Sequence, residues 1–179
     1  TLMLQLEVPA PAVEQALTAA RAKGVTTIIN IAPLTTDAAR LGRMADIVVA
    51  NETEFELLAG QDGMSADERE KALLRLHSET SQTLIVTLGA DGVIAARDGK
   101  LYRTKGLEIT PVDTVGAGDT FQAALISQLV SHPEGAIRAL DGLDSDRLAR
   151  ILDYAARAAA ITCSRRGADL PRAEELLVS

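Results

Sequence analysis

Tryptophan is absent from this 179-residue chain, and two phenylalanines with two tyrosines are its whole aromatic content. Lys and Arg number 18 against 25 Asp and Glu, without a basic block, so no basic patch interleaved with aromatics exists. With a net charge of −7, nucleic acid is not an expected partner. The single cysteine, Cys163, can close no intrachain disulfide, and with His77 and His132 far apart in sequence it offers no metal-ligand spacing. Cys163 is read as a buried apolar thiol. No apolar run approaches the roughly 18 residues of a membrane span, and the start shows no charged segment followed by a cleavable apolar one. The expectation is a soluble, cytoplasmic protein without membrane partners.

What is present is a well-mixed globular composition, 47% hydrophobic and 24% charged, enough for one packed domain over residues 1–179. The chain goes from Thr1 straight into the apolar stretch Leu2 to Val8, read as a buried strand and as a sign that the piece belongs to something longer. Pro9 and Pro11 open a helix with Val13, Ala16, Leu17 and Ala20 on one side, ending at Lys23-Gly24. A β-branched strand, Val25 to Ile31, follows. Strand, helix, strand at this spacing is a βαβ unit and implies a parallel sheet. Further strands are read at Asp46 to Ala50 and Thr83 to Leu88, with a hairpin of 93–96 and 100–104. Helices are read near 37–43, at 65–79 with Ala72, Leu73 and Leu76 inward, and at 147–162, the last rich in alanine for close packing on the sheet. A short helix starts at Pro171.

Three stretches carry possible chemistry. Asn51 can cap the helix that Gly60 stops, and Glu54 sits at N3, so the pair reads as a capping box. The same amide and carboxylate, at the C-terminal end of a parallel strand, can instead reach phosphate oxygens and a hydrated Mg²⁺. Thr87, Gly89, Asp91 and Gly92 form either a hairpin turn or a backbone approach for a nucleotide. Gly116-Ala117-Gly118-Asp119 precedes a helix that runs to about Ser131. It is either a tight turn with a dipole-compensating acid, or an anion hole whose backbone N–H groups face a phosphoryl group beside a potential base, Asp119.

Asn51-x-x-Glu54, Thr87-x-Gly89-x-x-Gly92 and the nine residues Asp113-Thr114-Val115-Gly116-Ala117-Gly118-Asp119-Thr120-Phe121, in this order, resemble the ribokinase-like (PfkB) family of sugar kinases. Leu4 to Glu7 and Arg165 to Ala168 extend the resemblance to both ends. It implies a three-layer α/β/α fold with a mainly parallel central sheet, of which the N-terminal strands and the β lid are absent from this chain. It implies an ATP- and Mg²⁺-dependent kinase acting on a small sugar, ribose ahead of fructose, and a homodimer for the intact protein. Asp119 resembles the base that receives the sugar hydroxyl's proton, and Gly116, Ala117 and Gly118 the donors that hold the transferring phosphoryl group. Asn51 and Glu54 resemble the element that organises Mg²⁺ and ATP phosphates, Thr87, Gly89, Asp91 and Gly92 the nucleotide turn, and Glu7 a sugar-pocket carboxylate. A monovalent-cation site for K⁺ would use Asp113 and the carbonyls of Val115, Thr162, Arg165 and Gly167. Ala168-Asp169-Leu170-Pro171 departs from the ribokinase pattern by being short, and looks fructokinase-like.

Two other classes compete. A truncated, non-catalytic nucleotide-binding domain would bind ATP without phosphorylating sugar. A dinucleotide-binding oxidoreductase is the weakest reading, because no Gly-x-Gly-x-x-Gly follows the first strand.

Overall fold

The computed structural model describes residues 1–131, 140 and 143–176. His132 lies outside them. Six strands, β1 (Leu2–Leu4), β2 (Thr27–Asn30), β3 (Ile47–Asn51), β4 (Thr83–Thr87), β5 (Gly92–Arg97) and β6 (Lys100–Lys105), form one sheet in chain order. The helices are α1 (Ala10–Ala22), α2 (Ala38–Gly42), α3 (Glu52–Ala59), α4 (Ala66–Thr80), α5 (Ala117–Val130), α6 (Ser145–Cys163) and α7 (Ala173–Leu176). The chain divides into two compact units, Thr1–Leu88 with Ile94–Arg103, and Gly89–Val93 with Thr104–Ser179. Among the described residues no helix is long and apolar enough to cross a membrane.

In the first unit, β1 to β4 pair in parallel, with Ile28 opposite Ile47 and Val48 opposite Leu84. Every residue of β2 is buried, as parallel strands covered on both faces require. Val13 and Leu17 from α1, Phe55 and Leu58 from α3, and Leu73 and Leu76 from α4 join strand residues Ile29, Val48, Leu84 and Val86 in one core. Burying side chains of this size stabilises by about 1.5–3 kcal/mol each. The strand register is pinned at one end by Asp46, whose carboxylate accepts from the Thr27 N–H and hydroxyl, both at 2.8 Å.

Helix boundaries follow local chemistry. Gly60 stops α3 in the left-handed conformation, φ 70°. Ser65 and Glu68 form a reciprocal box at the start of α4, a Ser-x-x-Glu pattern that marks a helix start in the sequence itself. Arg69 joins the buried face of α4, paired with Glu52 at 2.9 Å. The hairpin is as expected, with φ 50° at Asp98 and 71° at Gly99, the two positive values of a type I′ turn. His77 anchors that turn from α4: its Nε2 accepts the Gly99 N–H at 3.0 Å while Nδ1 lies 2.7 Å from the Gln82 carbonyl oxygen.

The largest difference from the expected boundaries is at β1. β1 ends at Leu4 rather than Val8, where the ladder to β2 gives way to a bond from Leu6 N–H to Ala32 O, beyond the end of β2. In the second unit α6 packs on α5, and buried Ala155, Ala156 and Ala158 let the two helices approach. Asp144 caps α6 by accepting from Arg147 N–H, and the Arg147 guanidinium reaches back to the carbonyls of Gln128 and Leu129 at the end of α5.

Candidate active site

The first unit brings Asn51, Glu54 and Thr87 together at the C-terminal ends of neighbouring strands. Asn51 is both the last residue of β3 and the N-cap of α3, and it stands opposite Thr87 in the ladder. Its N–H donates to Glu54 Oε2 at 2.8 Å and its Nδ2 to Oε1 at 2.9 Å, while Glu54 N–H returns to Asn51 Oδ1 at 2.9 Å. The capping box is therefore real and complete. Glu54 is 7% exposed; burial pushes its carboxyl upward in pKa, and the Asn51 N–H pulls it partly back. Each carboxylate oxygen retains a second lone pair, so the box does not exhaust Glu54 as an acceptor. Among the described residues no three acidic, His or Cys side chains cluster as a metal cage. Glu7 is exposed in the bend after β1, two strands away from β3 in the sheet order.

In the second unit, Gly89–Asp91 make a single 3₁₀ turn. Gly92 has φ 100°, and a Cβ there would lie 2.0 Å from the Thr104 carbonyl oxygen. Gly106 is its counterpart, since a Cβ on it would meet the Ala90 carbonyl oxygen at 2.0 Å. Two backbones cross here with no room for side chains, which accounts for Gly92 by packing. Gly106 carries no sequence signal beyond being a glycine just after a strand. Gly89 has φ 55° and nothing within 4 Å of its missing Cβ, so it faces open space, and Asp91 is exposed.

The glycine motif builds the start of α5. Gly116 is its N-cap, at φ 79°, and offers no side-chain cap. Thr120 N–H donates to Gly116 O at 2.8 Å as the first helical bond, and Ala117 N–H makes a long turn bond to Thr114 O at 3.3 Å. Asp119 stands at N3 and is exposed, as is Gly118. Gly118 has no positive φ and nothing within 4 Å of a Cβ position, so neither conformation nor packing calls for glycine there.

This start is held by the segment after α6. Cys163 O accepts from Val112 N–H at 2.8 Å and Asp113 N–H at 3.2 Å. Asp113 accepts from Val115 N–H through Oδ1 and from Gly167 N–H through Oδ2, each at 3.0 Å. Those two donors, Val115 first, hold the Asp113 carboxyl below the ordinary carboxylate range. Gly116 itself lies against Ala168. The Thr162 carbonyl accepts from Arg165 N–H at 3.1 Å and that of Gly167 from Asp169 N–H at 2.9 Å. The Arg165 guanidinium is turned to the Glu175 carboxylate. Burial, and then the Asp113 charge, push the half-buried Cys163 thiol up in pKa, which keeps it protonated and unreactive near neutrality.

Comparison with known proteins gives these geometries a context. The ribokinase of Haemophilus influenzae is 32% identical over 178 residues, which cover 98% of this chain and 54% of the relative. The fructokinase of Escherichia coli is 33% identical over 138 residues, covering 75% and 41%. Among solved structures, Arabidopsis thaliana ribokinase complexed with ribose and ATP is similar with a TM-score of 0.81 at 27% identity, covering 98% of this chain and 54% of that one. The ribokinase of Giardia lamblia gives 0.82 at 25% identity, covering 97% and 57%. The fold is thus the expected ribokinase-like α/β fold, and the chain spans about half the length of the curated relatives it matches. The model of the pfkB family carbohydrate kinases matches residues 1–175, and the chain belongs to that family.

Proposed function

We propose that the chain is the nucleotide-binding and catalytic portion of an ATP-dependent sugar kinase, with ribose as the first acceptor and fructose as the alternative. The observation that carries this reading is the start of α5, where a glycine N-cap leaves the helix without a side-chain cap and an acid stands at N3. Asp119 accepts the proton of the sugar's primary hydroxyl as that oxygen bonds to the γ-phosphorus and the bond to the β-phosphate oxygen breaks, releasing ADP. The backbone N–H groups of 116–118, with the positive end of the helix dipole, stabilise the charge on the transferring phosphoryl oxygens. In the same unit the turn with Gly89 and Asp91 serves the nucleotide. Thr87 and Glu7 of the first unit are assigned to nucleotide and sugar respectively.

Mg²⁺ accompanying ATP would supply charge neutralisation. With no carboxylate cage among the described residues, Glu54 and Asn51 suit a hydrated ion carried by the phosphates rather than one the protein ligates directly. Asp113 and the carbonyls of Val115, Thr162, Arg165 and Gly167 are an all-oxygen donor set that would suit K⁺. The test is sugar-dependent ADP release by the intact protein over ribose, fructose, adenosine and ketodeoxygluconate, with turnover on ribose or fructose expected and turnover on none contradicting the reading. A second reading is a non-catalytic nucleotide-binding domain. It predicts ATP binding by calorimetry with no phosphorylated product.

A further inference from the structure

We infer that Thr120 and Thr162 form a buried hydroxyl relay that positions the helix start used in the proposed phosphoryl transfer; the inference rests on that functional reading. Thr162, in the last turn of α6, has no exposed surface, and Thr120, in the first turns of α5, is 3% exposed. Thr162 Oγ1 lies 3.1 Å from Thr120 Oγ1 and 3.3 Å from the Ala158 carbonyl oxygen. Thr120 Oγ1 donates to the Gly116 carbonyl oxygen at 2.8 Å.

The direction of the relay follows from counting protons. A hydroxyl has one proton to give, and a carbonyl oxygen can only accept. The Thr120 proton is committed to Gly116 O, so toward Thr162 the Thr120 oxygen acts as acceptor. Thr162 therefore donates to Thr120, sharing its proton with Ala158 O. A threonine in a helix can bond back to the carbonyl four residues earlier. In Thr162 that bond is the longer of the two, and the shorter one crosses to the neighbouring helix.

Gly116 O receives two donors from one residue, the N–H and the hydroxyl of Thr120, both at 2.8 Å. A peptide group is planar and trans, so fixing the Gly116 C=O fixes the Ala117 N–H on the opposite side of the same plane. Gly116 has a glycine's backbone freedom and is held at φ 79°. The relay restrains it from α6. Neither threonine is placed against substrate, so both are positioning residues rather than catalytic ones.

The test uses four variants of the intact protein: Thr120→Val and Thr162→Val, which exchange the hydroxyl for a methyl group, and Thr120→Ser and Thr162→Ser, which keep it. Small misplacements at a reacting centre are costly, so kcat is expected to fall about tenfold or more in T120V and several-fold in T162V. KM for ATP and sugar should change less than about twofold, and both serine variants should recover most of kcat. Serine variants as poor as the valine ones, or an unchanged kcat in both valine variants, would overturn the relay. Amide hydrogen exchange separates this from the functional reading. Protection of the residue-120 amide, which donates to Gly116 O, should fall in both valine variants and not in the serine ones. If the wild-type protein phosphorylates no sugar, the functional reading fails, and the exchange data alone decide the relay, with unchanged exchange in the valine variants refuting it.

Discussion

Helices α3 and α5 both begin with an acid at N3, and their starts are built in opposite ways. At α3 the N-cap is Asn51, whose side chain and backbone close onto Glu54 through three hydrogen bonds. At α5 the N-cap is Gly116, which has no side chain to cap the helix with, and Gly118 and Asp119 stand exposed. An acid three residues into a helix thus has no fixed meaning. Its role is set by what the N-cap offers, and a glycine N-cap leaves the helix start to be organised from elsewhere, here by Thr120 and the residues following α6.

The largest effect that would sharpen this contrast is expected at the open start. Asp119→Asn in the intact protein should cut kcat by about 10²–10⁴-fold, the range for loss of a general base, while calorimetry shows ATP binding largely retained. Asn51→Ala acts on the closed start and should appear first as stability. Losing the cap costs about 1 kcal/mol in a denaturant titration, and Glu54 also loses a partner while remaining buried. If N51A instead lowered turnover as strongly as D119N with no stability change, the distinction between the two starts would fail.

The smallest effect concerns acid pH. Asp113 has a folded-state pKa below its unfolded value because it accepts from Val115 and Gly167 N–H. Its contribution is therefore fully present above the unfolded value, near 3.9, and is lost as pH falls through the lower folded value. Asp113→Asn should flatten the decline of Tm on the acid side relative to wild type; an unaltered acid profile would show that the clamp contributes nothing measurable.

The legible parts of the fold are those decided within a few residues. The Asn51 cap, the Gly60 stop and the hairpin turn at Asp98-Gly99 follow from local chemistry and fall where the sequence puts them. What was not legible depends on distant partners. Gly92 looks like a ligand-facing glycine until Thr104 O and Gly106 are seen against it, and β1 ends early where Leu6 N–H bonds to Ala32 O past the end of β2. Asp113 and Gly167 were grouped by family resemblance as parties to one site, yet the bond between them, across 54 residues, has no local trace. The Thr120 and Thr162 hydroxyls, 42 residues apart, meet only because α5 and α6 pack together.

The most direct test of the open start is Gly118→Ala, read for turnover and thermal melting on the same preparation. Gly118 has no positive φ and empty space where a Cβ would go, so alanine should fold normally and even stabilise the helix by about 0.5–1 kcal/mol. Gly116→Ala is the control, since its φ of 79° and a Cβ 2.9 Å from the Ala168 Cβ predict a loss of stability. If the space before Gly118 is where the phosphoryl group passes, G118A will lose turnover by about 10²-fold with an equal or higher Tm. Turnover equal to wild type in a normally folded G118A would contradict the assignment of this helix start to phosphoryl transfer.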